Sequence, residues 1–159
     1  MVKKTMAILG DTGEFSTVLM EVLMMQDLRL LFVSEDEAKN KKIKKQLEPL
    51  KTAAEIEFIS CEREGCWEAE IIAVTHPENI STILIEKIKE VATQKIVMVV
   101  SEDKKQPEKP ELENLLPYSK VVNIVFDPRE KEFSVSGKDA VSKTIVQKIF
   151  ESTGYQLNK

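Results

Sequence analysis

Gly10, Gly13 and Ser16 stand at i, i+3 and i+6 directly after a short apolar run. Small residues so spaced let a chain bend tightly and let an anion approach backbone N–H groups at the start of a helix, which is the chemistry of a phosphate-binding turn. Thr12 occupies the place of the usual middle glycine. Glu35, beside Ser34, follows Gly13 at about the 20-residue interval at which a carboxylate meets a ribose hydroxyl. His76, the sole imidazole, precedes Pro77. It can exchange a proton near neutral pH, but a residue before proline is biased toward extended backbone, so His76 can equally serve as turn geometry that aims its peptide groups at a ligand. Cys61 and Cys66 form a C-x4-C with no second pair, which does not suit zinc. As a redox pair they would need a helix start to lower a thiol pKa, and nothing in the sequence places them at one. They read as buried or incidental, and no metal is expected. Trp67 and Phe15 read as packing residues, with Phe15 able to flank a cleft. No Ser/His/Asp set or paired carboxylates emerge from spacing.

The elements that must position these residues alternate. Thr5–Leu9 is an apolar strand that ends at Gly10-Asp11-Thr12-Gly13, and Phe15, Val18, Leu19, Val22 and Leu23 then recur at helical spacing. Leu28–Val33 reads as a second strand and Glu35–Leu47 as a helix whose lysines 41, 42, 44 and 45 surround Ile43 as a solvated face. Ala54–Ile59 is a third strand, followed by an irregular stretch over Ser60–Trp67. Ala69–Thr75 is a fourth strand stopped by His76-Pro77, and Ile80, Ile83, Leu84 and Ile88 mark the next helix. Lys95–Val100, rich in β-branched residues, reads as a central fifth strand. Ser101–Pro110 reads as a surface loop, Glu111–Leu116 as a short helix, Val121–Phe126 as a sixth strand and Phe133–Val135 as a brief seventh. Ala140, Ile145, Ile149 and Phe150 line a last helix that ends near Gly154.

Strands alternating with helices predict βαβ units with right-handed crossovers. The expected architecture is therefore α/β: a doubly wound, mostly parallel sheet in three α/β/α layers, of the Rossmann type, with strand order 3-2-1-4-5-6. Ligands in such sheets sit beyond the carboxyl ends of the strands where the winding reverses. That places the candidate site at residues 10–16, 34–36 and 75–78. With 159 residues, a single domain over 1–159 is the default. At 42% apolar and 31% charged residues the composition is globular, and a net charge of −4 with scattered lysines offers no basic face for nucleic acid. The apolar run at 6–9 is far too short for a signal core or a membrane span, so a cytoplasmic location is expected.

Four segments in order resemble the NADP oxidoreductases that work with the deazaflavin coenzyme F-420. Ala7-Ile8-Leu9-Gly10-Asp11-Thr12-Gly13-Glu14-Phe15-Ser16 looks like the family's G-x-T-G-x-x-G loop, and Ile71-Ile72-Ala73-Val74-Thr75-His76-Pro77 like its strand ending in a proline turn. Val121-Val122-Asn123-Ile124-Val125-Phe126 is similar to its sixth strand, and Val135-Ser136-Gly137-Lys138-Asp139 to its Gly-Asp-Asp strand end. The resemblance implies a domain in which the loop and first helix, here Gly10, Asp11, Thr12, Gly13, Glu14 and Phe15, hold a dinucleotide's pyrophosphate and a Ser-Arg pair holds the 2′-phosphate of NADP, while the switch point of the sheet adds Thr75, His76 and Pro77 to the cleft. This chain reads Ser34-Glu35 at that pair. A carboxylate repels a 2′-phosphate but accepts hydrogen bonds from a free ribose hydroxyl, so NAD is expected over NADP.

Asp11 and Glu14 depart further from the pattern. At ~5 Å and an effective dielectric of ~20, one such contact with a pyrophosphate costs about 3 kcal/mol before screening. An acid in the first helical turn also complements the positive helix end that would otherwise receive the anion. Three readings stay open: an oxidoreductase completed by a homodimer or a partner subunit, a nucleotide-responsive module without turnover, and a degenerate scaffold for protein interaction.

Overall fold

Strands that are apolar on both faces belong in the middle of a sheet, and here they are found there. The computed structural model describes residues 3–9, 14–50, 52–75, 81–101 and 112–158, the side chains of residues 14–18 and 113 excepted. β1 (Lys4–Leu9), β4 (Ile71–Val74) and β5 (Ile96–Ser101) are almost wholly buried and lie side by side. β2 (Leu28–Val33) and β3 (Glu55–Ile59) extend the sheet beyond β1, and β6 (Lys120–Asp127), β7 (Glu132–Gly137) and β8 (Gln156–Leu157) extend it beyond β5. The order is β3-β2-β1-β4-β5-β6-β7-β8. It is parallel from β3 through β6, antiparallel at β6–β7 and parallel again at β7–β8.

The pleat sends alternate residues to opposite faces. Met6, Ile8, Leu30, Phe32 and Met98 face one layer, formed by α1 (Glu14–Met24), α2 (Glu37–Leu47) and α6 (Ala140–Glu151). Ala7, Leu9, Leu31, Val33, Val74 and Val97 face the other, formed by α3 (Glu62–Glu68), α4 (Thr82–Ile88) and α5 (Leu112–Leu115). On the first face Phe150 packs 6.0 Å from Phe126 and 5.4 Å from Phe133, between ring centroids, with Tyr155 against Phe126. Full burial of each such side chain stabilises by about 1.5–3 kcal/mol.

The expected α/β class, three layers and order of the first six strands are all present. Four expectations need correction. Residues 60–67 are not irregular: α3 forms there, short and with only Gly65 and Cys66 buried, so no apolar stripe announces it. Trp67 is not a packing residue but 67% exposed on its solvent side. The buried stripe of α4 runs through Ile85 and Ile88, while Ile83 is 71% exposed. α2 starts at Glu37 rather than Glu35, because the Asp36 side chain accepts hydrogen bonds from the N–H groups of Ala38 and Lys39 and caps it. The lysine-rich face of α2 is solvated as expected, with Ile43 buried beneath it. The seventh strand is longer than its apolar core, since its outer residues pair with β6, and β8 carries too few residues to leave a pattern.

Candidate functional site

The winding reverses between β1 and β4, and the two strand ends there are tied together. Thr75, buried, donates from its backbone N–H at 3.0 Å and from Oγ1 at 3.1 Å to the carbonyl of Leu9. The hydroxyl and the peptide thus share one acceptor, which fixes where β4 leaves the sheet relative to β1. Gly10, Asp11, Thr12 and Gly13, and likewise His76 and Pro77, lie outside the described residues. Glu14 and Phe15 open α1, which begins beyond the carboxyl end of β1 as a phosphate-binding turn requires.

One strand over, Ser34 continues the β2–β3 ladder by donating its N–H to Ile59 O at 3.1 Å. Its Oγ accepts from Asp36 N at 3.1 Å and its carbonyl from Asn40 Nδ2 at 3.2 Å. These bonds shape the turn. Glu35 is the residue this turn pushes outward, exposed beyond the carboxyl end of β2. Its carboxylate accepts from Lys87 Nζ of α4 at 2.9 Å. The Lys87 ammonium also lies 3.6 Å from Glu62 Oε1, at the start of α3.

Charge and burial act in opposite senses on these acids. The hydrogen bond from Lys87 holds the Glu35 carboxyl below the ordinary carboxylate range. Burial, and then the nearby charge of Glu35, push Glu62 above it. The Glu35 bond to Lys87 raises the lysine in turn. Sequence spacing named Ser34 and Glu35 but missed Glu62 and Lys87, which come from a helix without an apolar stripe and from a lysine on the far side of a crossover.

The cysteines separate into two environments. Cys66 is buried and its thiol is pushed up to about 12, chiefly by burial. Cys61 is exposed and stands at the N-cap of α3, so one cysteine does sit at a helix start, contrary to the sequence reading, although its side chain makes no capping bond. Lys95 closes the other end of α3, donating from Nζ to the carbonyl of Cys66 at 2.6 Å and to that of Trp67. A depression of about 160 Å³ is lined by Pro117, Lys120, Lys138 and Asp139. It lies where β6 begins and β7 ends, at the opposite edge of the sheet from the switch point, and has no part in the candidate site.

Can these residues hold the adenosine end of a dinucleotide? A carboxylate offers about four lone-pair sites. Lys87 and, less strongly, Glu62 engage the Glu35 carboxylate, which keeps acceptor capacity for a ribose hydroxyl, and its exposure leaves room for one. The nucleoside end therefore fits.

Sheet order, crossover pattern and switch-point geometry define a Rossmann-type doubly wound fold. Solved structures share it at low identity. A pyrroline-5-carboxylate reductase from Coxiella burnetii superposes with a TM-score of 0.68 at 14% identity, covering 99% of this chain and 59% of its own. The corresponding values for a Synechocystis arogenate dehydrogenase are 0.67, 15%, 98% and 58%. A Plasmodium falciparum pyrroline carboxylate reductase, solved with NADP bound, gives 0.60, 17%, 99% and 58%. The chain thus spans less than two thirds of the length of these enzymes. No family model and no curated protein matches it. Among the described residues, no helix is long and apolar enough to cross a membrane.

Proposed function

We propose that this chain is the dinucleotide-binding module of an NAD(P)-linked oxidoreductase, with NAD preferred, over a single domain of residues 1–159. The observation that carries this reading is the Glu35 carboxylate, exposed beyond β2 beside the β1–β4 junction and able to accept ribose hydroxyls. The glycine spacing at 10 and 13 supports a pyrophosphate in the turn before α1, and the sequence resemblance supports an activity of the deazaflavin-linked type. When bound, the dinucleotide supplies hydride chemistry. The chain's part is to orient it: Thr75 sets the β4 exit, α1 presents its N-terminus, and Glu35 selects the ribose. His76 is the candidate to exchange a proton. A homodimer or a partner subunit in the cytoplasm would supply the substrate wall.

A second reading, a module that has lost the cofactor, draws on Asp11 and Glu14 in the phosphate turn. Calorimetric titration with NADH and NADPH at low salt separates the two. Micromolar binding of NADH is the expected outcome, tightened in the double variant Asp11→Gly/Glu14→Asn. Absence of heat with either dinucleotide, in both proteins, would overturn the first reading and leave the second.

A further inference from the structure

One ammonium serves two carboxylates from different elements. Lys87 of α4 lies 2.9 Å from Glu35 beyond β2 and 3.6 Å from Glu62 of α3. One cation between two anions leaves the cluster net negative when all three are ionised. The Glu62 side chain is only 17% exposed, against 58% for Glu35, so water screens its charge less. Were Glu35 the sole partner, an incoming phosphate could take over the lysine and leave a neutral edge. With Glu62 in place, Lys87 stays paired even when Glu35 lets go.

We propose that Glu62 and Lys87 determine specificity at the adenosine end of the dinucleotide, Lys87 by holding Glu35 where it meets the ribose hydroxyls and Glu62 by supplying the second negative charge that excludes a 2′-phosphate. The inference rests on the dinucleotide reading above. Both residues are positioning and selecting groups rather than catalytic ones. The Lys87 hydrogen bond lowers the Glu35 carboxyl, while burial first, and then the charge of Glu35, raise that of Glu62, so the two acids are close enough to feel each other beside one lysine.

The test is calorimetric titration of NADH and NADPH into the wild type, Glu62→Gln, Lys87→Met, Lys87→Arg and Glu35→Gln, each checked by thermal melting. Glu62→Gln is expected to narrow the NADH preference about tenfold, the effect of one unit charge seen across ~8 Å at an effective dielectric of ~30. Lys87→Met moves the ratio the other way, because two uncompensated carboxylates repel the phosphate more, and it weakens NADH as well. Lys87→Arg restores both. A merely structural role shifts the two affinities together, and an unchanged ratio in Glu62→Gln and Lys87→Met, with NADH still bound and lost in Glu35→Gln, overturns this inference alone. A wild type that prefers NADPH also overturns it. A wild type that binds neither dinucleotide removes the dinucleotide reading and this inference with it.

Discussion

The two faces of the sheet are built by different means. One is covered by helices of 11, 11 and 12 residues and centres on a cluster of aromatic rings. The other is covered by helices of 7, 7 and 4 residues, too short to stand without help. Beyond the apolar contacts on which they rest, polar ties hold them to the sheet and to one another. Arg29 of β2 binds Glu57 of β3 and, at 3.1 Å, Glu68 of α3. Arg63 reaches Glu90 at 2.8 Å, and Lys95 caps α3. The lesson is a contrast in construction: the aromatic face is expected to contribute the larger share of stability, and the short-helix face carries Glu62 and Lys87.

Substitutions can break or sharpen that contrast. The largest effect is expected from Phe150→Ala, which empties the centre of the aromatic face. A loss of about 3–5 kcal/mol in urea unfolding is expected, and a loss below about 1 kcal/mol would contradict the assignment of stability to that face. Gly65→Ala tests how closely α3 sits on β2. An added Cβ would lie 2.6 Å from Val33 Cγ2, and β-branched valine has little rotamer freedom to yield. The expected cost is about 1–3 kcal/mol, relieved in part by Val33→Ala in the same chain, which a double-mutant cycle measures.

Thr75→Val removes one of the two donors to Leu9 O and keeps the other. Denaturant unfolding should show about 1 kcal/mol lost, with weaker dinucleotide binding if the strand exit positions the site. The buried Cys66 thiol ties stability to pH at the alkaline end. Its folded thiol titrates near 12 against an ordinary 9.0, so the folded state holds its proton more tightly. The contribution is fully present below pH 9 and is lost as pH rises toward 12. Cys66→Ala should flatten the alkaline slope of stability, and a thiol reagent at pH 8 should modify Cys61 fast and Cys66 only on unfolding.

How much of this the sequence disclosed follows from the strength of each signal. β1, β4 and β5 were legible because strands buried on both faces leave unbroken apolar runs. The reversal between β1 and β4 followed from the alternation of strand and helix. α3 was not legible: its buried residues, Gly65 and Cys66, are adjacent rather than spaced by three or four, and glycine is a poor helix former. Glu35 could be found by its interval from the glycine turn. Lys87 and Glu62 could not, because ion pairs across three elements leave no local pattern, and Trp67 was misplaced because an aromatic side chain carries no marker of the face it takes.

The two margins of the sheet set how these molecules meet one another. At one margin β3 places Glu55 and Glu57 along its length, and at the other β8 offers only Gln156–Leu157. A charged strand and a two-residue strand are both poor templates for a further strand. Concentrated solutions should therefore resist cross-β aggregation, and a homodimer of this chain would join through its helices rather than by continuing the sheet.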